Sequence, residues 1–438
     1  MNILYGVYIL VTSGLFLICF PFFWLYASIS GRYKKGLAER LGCINSGIGS
    51  AIKGTPRVWI HAVSLGEIRV AESIIKSLEN IMPGCSVVLS TTTEHAREFA
   101  SEIFDDRIYI IYGPIDFILS VRRALYSIRP DVMVFLETEI WPIWITESRR
   151  IGVKTALVNG RISPRSFKSY FKFRYFFHGV LKNIDRFSMI TEKDRFRINA
   201  IGADSRKIVV NGNAKYDLLP DLAVPHIEKD TRNILNIELS SMVFIAGSTR
   251  KGEESMIIDA YMNITKEFPE TILFIAPRHI ERAEEIASIL ENNKLKYQFR
   301  SEIDGETSKR TENIVIINSF GELFRLYSVG TIAFCGASLV PLGGQNPLEA
   351  AVWSNAVLYG PYMDHFLDAK ALLDEKEAGI QVSGPEMLAE KVIRLLRDPE
   401  LLKRQGMRAR EAVLGNRNAG ERHAGVIAEL SKPRTGYK

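Results

Sequence analysis

Residues 331–353 read TIAFCGASLVPLGGQNPLEAAVW, and this stretch decides the fold class. Thr331 to Cys335 is an apolar run with the length of a buried strand. Leu348 to Trp353 reads as a helix start. Between them Gly343 and Gly344 free the backbone to approach a ligand closely. Strand, glycine loop and helix start together present backbone N–H groups to a phosphate. The same residues also fit a plain capping box, with Asn346 at the N-cap, Pro347 at N1 and Glu349 at N3.

The pattern repeats outward from there. Towards the N-terminus, strand candidates are Met242 to Ala246, Ile272 to Ala276 and Ile314 to Ile317; after the loop comes Ala356 to Tyr359. The first half offers Val58 to Ala62, Ser86 to Thr92, Arg107 to Tyr112, Val132 to Glu137, Thr155 to Asn159, Phe187 to Thr191 and Ile208 to Asn211. Amphipathic stretches such as Arg69 to Leu78 and Ile115 to Ile128 separate them. Strands alternating with helices argue for parallel sheets covered on both faces. Asp217 to Asn236, with Pro220, Pro225 and mixed charges, interrupts the alternation and reads as a linker. The expectation is two tandem, doubly wound α/β domains. Ligands in such folds bind at the carboxyl ends of the strands, which places the expected site in an interdomain cleft.

Three segments flank this pattern in the expected layout: an anchor over 1–30, a first domain over 31–218 and a linker over 219–238. The second domain then fills 239–438. Apolar residues make up 47% of the 438, which excludes a disordered chain. The four cysteines are scattered without a Cys-x-x-Cys pair, so neither a zinc ribbon nor a disulfide framework is indicated. A net charge of +6 suits an anionic partner. Ile3 to Ile29 carries no charge, is longer than the roughly 20 residues that span a bilayer, and contains Pro21. Arg32, Lys34, Lys35 and Arg40 follow it, which directs the rest of the chain to the cytoplasm. A signal peptide would show the reverse order, basic residues first.

Polar groups cluster where strands end. His61-Ala62-Val63-Ser64-Leu65-Gly66-Glu67 fits a capping box, yet Gly66 costs about 0.5–1 kcal/mol relative to alanine in a first helical turn. That cost makes sense if a substrate approaches there, with Glu67 as a candidate general base. Glu137 and Glu139 follow another strand as paired carboxylates, either acid and base, metal ligands, or a solvated cap. No Asp-x-Asp occurs, so a metal-dependent sugar-nucleotide transferase has no evident ligand set. Lys215 stands just before the linker and suits a phosphate as a point charge. Arg278 follows Pro277 between strand and helix, where a guanidinium grips phosphate or carboxylate bidentately. Arg250 and the triplet Phe320-Gly321-Glu322 end two further strands. Between Arg161 and Arg186, basic and aromatic residues interleave. Anionic lipid headgroups are one partner for such a face and RNA stacking is a rival; plain core packing is the third reading.

Six motifs in order resemble the bacterial 3-deoxy-D-manno-octulosonic acid (Kdo) transferases of the lipid IVA type. They are His61-x-x-Ser64-x-Gly66-Glu67, Glu137-Thr138-Glu139-x-Trp141-Pro142, Asn159-x-Arg161-x-Ser163, Gly212-Asn213-x-Lys215-Tyr216-Asp217, Pro277-Arg278-His279-x-Glu281-Arg282 and Gly343-Gly344-Gln345-Asn346-Pro347-Leu348-Glu349. The resemblance implies a GT-B fold and inverting transfer of Kdo from CMP-Kdo to a lipid A precursor at the cytoplasmic face of the inner membrane. By the same resemblance Glu67 is the general base, while Glu137 and Lys215 stabilise the transition state. Pro277, Arg278, Phe320, Gly321, Glu322, Asn346, Pro347, Leu348 and Glu349 are implied to bind CMP. No metal, cofactor or nucleic acid is expected. Gln345 departs from relatives that often carry histidine. The rival functions are a UDP-sugar transferase acting on a lipid, and a membrane-tethered nucleotide- or lipid-binding protein without catalysis.

Overall fold

The computed structural model describes residues 3–30, 36–44, 52, 54–104, 108–305 and 307–432. Arg32, Lys34, Lys35 and Arg107 lie outside them. Two compact units emerge: residues 1–217 with 418–438, and residues 218–417.

The first unit is built on a seven-stranded parallel sheet: β1 (Arg57–His61), β2 (Ser86–Thr91), β3 (Tyr109–Tyr112), β4 (Val132–Leu136), β5 (Lys154–Gly160), β6 (Arg186–Met189) and β7 (Ile208–Val210). Their spatial order is β3-β2-β1-β4-β5-β6-β7. All five residues of β4 are buried. That is why Val132 to Leu136 reads as a continuous apolar run: a parallel sheet is covered on both faces. The order reverses between β1 and β4, which pair with His61 opposite Phe135. Loops leaving those two strands diverge and open a crevice at their carboxyl ends.

The second unit repeats the plan with β8 (Val243–Thr249), β9 (Ile272–Pro277), β10 (Gln298–Phe299), β11 (Ile314–Ile316), β12 (Ile332–Cys335), β13 (Ala356–Tyr359) and β14 (Gly379–Gln381). The order is β10-β11-β9-β8-β12-β13-β14, all parallel, so the reversal falls between β8 and β12. The edge strands β10 and β14 have only two and three residues, too few to leave a periodic trace in sequence.

Two borders differ from the sequence reading. The helix Ala419–Ser431 belongs to the first unit rather than to a second domain running to residue 438. Its Ala419, Ala424 and Ile427 enter the core beside Ile68, Ile74 and Val134. Buried His423 lies 2.7 Å from Ser188 Oγ through Nδ1 and 3.0 Å from the Gly212 carbonyl through Nε2. The segment 219–238 is not a bare linker either. It forms helices Leu219–Leu222 and Pro225–Leu235, with Thr231 and Leu235 buried in the second unit. Arg310 secures it by donating to the carbonyls of Leu235 and Asn236.

At the N-terminus, helix Ile3–Ser30 contains Pro21, and its Ile3–Tyr26 stretch is long and apolar enough to cross a membrane.

Candidate functional site

In the first unit, β1 delivers the chain into Ser64, which caps helix Leu65–Ile81 by accepting from the Glu67 N–H at 3.3 Å. Glu67 reaches back: Oε2 accepts from the Val63 N–H at 2.7 Å, and Oε1 accepts from the Ser64 hydroxyl at 3.2 Å. The residue is only 7% exposed. Burial above all pushes its carboxyl up to about 8, and the negative charges of Glu137 and Glu139 add to the shift. All three carboxyls therefore share one neighbourhood at the β1/β4 reversal. A methyl on Gly66 would meet nothing nearer than Ser64 Oγ at 3.8 Å, so the protein's own packing does not require glycine there.

Glu137 is held at φ 51°, the left-handed region that a residue with a Cβ seldom adopts. Its N–H donates to the Val158 carbonyl and its own carbonyl accepts from the Arg161 N–H. Such backbone strain persists where surrounding structure enforces it, commonly at functional sites. Glu139 accepts from Trp141 Nε1 at 2.6 Å, and burial raises its carboxyl. Trp141 sits edge-on to His61, with ring centroids 5.9 Å apart. His61 is buried, and burial pushes it down to about 4, so it is neutral at physiological pH. Its Nδ1 lies 2.8 Å from Ser90 Oγ.

Lys215 follows the edge strand β7, yet two ties draw its turn towards the centre of the sheet. Buried Asn159, at the end of β5, accepts from the Ala214 N–H and donates to Asn213, whose oxygen accepts from the Lys215 N–H. Asp217 Oδ2 in turn lies 3.4 Å from the hydroxyl of Ser73 on helix Leu65–Ile81. Asn159 belongs to one of the six motifs, but no local pattern marks it as the residue that ties the Lys215 turn to β5.

In the second unit the loops after β8, β9 and β12 meet at the reversal point. Arg278, exposed, leaves β9 beside Thr249, to whose carbonyl its N–H donates. Arg250 Nη1 contacts His279 Nε2. After β12 the chain turns through Ala337 at φ 57° and aims three successive N–H groups, from Ala337, Ser338 and Leu339, at one point. Buried Glu253 fills that point, accepting all three and the Arg250 N–H as well.

The glycine loop itself departs from expectation. Gly343 and Gly344 take φ 87° and 76°. A Cβ on them would lie 2.5 Å from the His365 ring and 2.4 Å from Met363 Sδ respectively. Their close approach is thus to the protein's own segment 362–365. Helix Leu348–Ala351 has four residues, too short to sum a large dipole. Asn346 caps this turn: its Oδ1 accepts from the Leu348 N–H, and its side-chain amide donates to Glu349 Oε1 at 3.0 Å. Pro347 and Leu348 are buried, and Pro277 closes β9 in the core. Phe320 is 82% exposed beside Gly321 at φ 83°. Glu322 already pairs with Arg300 at 2.6 Å and accepts from the Ser319 hydroxyl. Among the described residues no group of three His, Cys, Asp or Glu side chains is arranged to hold a metal.

Solved structures with the same architecture include a UDP-GlcNAc 2-epimerase from Neisseria meningitidis, with TM-score 0.62 and 14% identity over 85% of this chain and all of that one. A glycosyltransferase from Rickettsia africae matches with TM-score 0.60 and 15% identity, covering 86% and 99%. Paired parallel units of this kind define the GT-B class. Residues 35–218 match the family described as 3-deoxy-D-manno-octulosonic-acid transferase (kdotransferase). A 3-deoxy-D-manno-octulosonic acid transferase of Rickettsia prowazekii is 31% identical over 349 residues, 79% of this chain and 73% of the relative, and the protein belongs to this family. The Haemophilus influenzae transferase is 29% identical over 96% of this chain and 97% of its own length. A bifunctional glycosyltransferase/methyltransferase of Fusobacterium nucleatum is 33% identical, and there the chain spans about half the relative, 52%.

Proposed function

We propose that the protein transfers Kdo from CMP-Kdo to a lipid A precursor of the lipid IVA type, inverting the anomeric carbon by direct displacement. The reading is supported most by one observation: a buried carboxyl, Glu67, at the strand-order reversal of the first unit, tuned to about 8. The acceptor is a sugar hydroxyl whose own pKa lies far above 7. It needs a base whose proton affinity is raised, and positioned base catalysis contributes about 10²–10⁴-fold. Glu67 takes the hydroxyl proton as the oxygen attacks; the bond from the anomeric carbon to the CMP phosphate breaks, and the electron pair leaves with the phosphate.

That phosphate gains negative charge in the transition state. Within the second unit Arg278 meets it with a cation; within the first, Lys215 and Glu137 are assigned to stabilising charge that develops in the transition state. Pro277, Phe320, Gly321, Glu322 and residues 346–349 shape the CMP site in this reading. The open space at Gly66 admits the acceptor. No metal takes part in any of these steps. The protein works at the cytoplasmic face of the inner membrane, where its acceptor lies.

Radiolabelled CMP-Kdo and lipid IVA, with products resolved by chromatography, test the proposal. Label should move to lipid, CMP should inhibit and UDP should not. Transfer from a UDP-sugar but not from CMP-Kdo, or no transfer from either, would overturn it. The product ladder in the same assay counts the Kdo residues added.

A further inference from the structure

The N-terminal helix passes every compositional test for a membrane span, yet half of it is docked on the first unit. Tyr5, Tyr8, Thr12 and Phe16 recur at the three- and four-residue spacing of a single helical stripe. Tyr5 is buried. Tyr8 donates its hydroxyl to Asp116 Oδ2 at 2.9 Å, and its ring lies 5.1 Å from Phe176. Asp116 is itself fixed, because Oδ1 accepts from the N–H groups of Ile143 and Trp144 at the start of helix Pro142–Arg150. The Phe16 ring stacks on Phe117 at 4.3 Å.

Beyond Phe16 only residues 17–30 remain, about 21 Å of helix at 1.5 Å per residue. A bilayer core is about 30 Å thick. By Arg40 the chain is back on the same unit, where the Arg40 carbonyl accepts from the Ile115 N–H, two residues from Phe117. Both ends of the apolar segment are therefore held by one folded body.

We propose that this helix does not cross the membrane. It lies along one leaflet as a docked anchor, with the N-terminus on the same side as the two units, and the bilayer it meets carries anionic headgroups. Helices that lie in an interface normally need a polar face of their own. Here the folded unit covers that face, so the helix can be apolar all round. Leu10, Leu17, Ile18 and Phe22 are 66–75% exposed on the uncovered side. Phe176 belongs to helix Arg174–Leu181, which brings the basic–aromatic segment next to the anchor. There Phe173 and Tyr175 are exposed, and the Arg174 guanidinium lies over the Phe171 and Tyr175 rings at 4.6 and 5.0 Å. Cations seated on exposed aromatic rings suit an anionic interface.

The inference takes from the preceding section only that the protein works on a membrane lipid. Its readouts are independent of transfer, so a failed transfer assay leaves them intact. Full-length protein carrying Phe16→Cys with Phe117→Cys is treated in native membranes with a short bis-maleimide and read by peptide mass spectrometry. Ile3→Cys, at an 83% exposed position, is treated with an impermeant maleimide in spheroplasts and in inverted vesicles. The 16–117 crosslink should form, and residue 3 should never react from the outer face. Labelling of residue 3 in spheroplasts, or a crosslink that appears in detergent but not in membranes, would overturn the proposal. If residue 3 is protected on both faces, the crosslink decides. In vesicle flotation, Lys172→Glu with Arg174→Glu should weaken binding to phosphatidylglycerol-containing vesicles about tenfold and leave phosphatidylcholine binding unchanged. Equal loss on both would refute the anionic component.

Discussion

Replacing Glu67 by glutamine should sharply lower catalysis and, above a defined pH, strengthen the fold. The carboxyl titrates near 4.5 in an unfolded chain and at about 8 in the folded one. A raised folded pKa means that the native state keeps its proton while the unfolded chain releases it. The contribution to stability is then complete below 4.5 and falls away as pH rises through 8. At 1.36 kcal/mol per tenfold difference, that gap amounts to roughly 4–5 kcal/mol. Glutamine has one acceptor oxygen for the two donors, Val63 N–H and Ser64 Oγ–H, so it loses about 1 kcal/mol at every pH. Glu67→Gln should thus be about 1 kcal/mol less stable than the parent at pH 4.5, about 2 kcal/mol more stable at pH 7, and about 3–4 kcal/mol more stable above pH 8. Urea unfolding followed by tryptophan fluorescence reads the first unit directly, because Trp59 and Trp144 are buried in its core. Kdo transfer should meanwhile fall about 10²–10⁴-fold, and parental kcat/KM should climb about tenfold per pH unit until pH 8. A parent whose stability is flat between pH 5 and 9 would refute the electrostatic argument. A variant retaining more than a tenth of the activity would refute the role as base.

Glu137→Gln removes a like charge beside Glu67, so the acidic limb of the kcat/KM profile should move below pH 8; an unmoved limb would separate the two carboxylates. Gly343→Ala places a Cβ against the His365 ring at φ 87°, and should cost about 1–3 kcal/mol in thermal unfolding while weakening CMP binding measured by calorimetry. Glu253→Ala strips the acceptor from three buried N–H groups and from that of half-buried Arg250, and should destabilise the second unit by about 3–5 kcal/mol, read from hydrogen exchange of peptides covering 243–277 and 332–359.

Parallel strands buried on both faces are legible as apolar runs, which is why the strands of both sheets could be placed from sequence except the short edges β10 and β14. Membership of a core is not legible in the same way. The amphipathic pattern of residues 419–431 specifies a helix with an apolar face, but nothing in it names the sheet that face will meet. Long-range contacts reveal that the chain returns to its first unit: Ala419, Ala424 and Ile427 in that core, and His423 against Ser188 and Gly212. Residues 225–235 look like a linker because Pro225 and alternating charges obscure a single buried stripe, Thr231 and Leu235. Glu67, Glu137 and Lys215 stand out in the sequence as candidates because each follows a strand, and their roles remain part of the proposal. The strain at Glu137 and the anchoring of Lys215 through Asn159 depend on backbone torsions and long-range hydrogen bonds, which no local pattern encodes. The same holds for the N-terminal helix: hydropathy registers its length, whereas the Tyr8–Asp116 contact that limits its reach joins residues 108 positions apart.

Glu253 bears on how a donor phosphate is held in the proposed reaction. Consecutive N–H groups after a strand, converging at a sheet reversal, form the cradle that many nucleotide-binding proteins use for phosphate. In this protein a carboxylate of the chain itself occupies it, bound by three N–H groups from 337–339 and one from Arg250. A phosphate entering the same cradle would meet a buried negative charge. Guanidinium groups at neighbouring strand ends, Arg278 and Arg250, then become the means of neutralising the donor, and Glu253 acts upstream of them by fixing the backbone from which Arg250 extends. Charge-assisted, bidentate contacts of that kind weaken with ionic strength, whereas a backbone cradle is much less sensitive. CMP affinity should therefore fall steadily between 50 and 500 mM salt, and Arg278→Gln should flatten that dependence; a salt-insensitive affinity would return the phosphate to backbone amides and refute the assignment to side-chain cations.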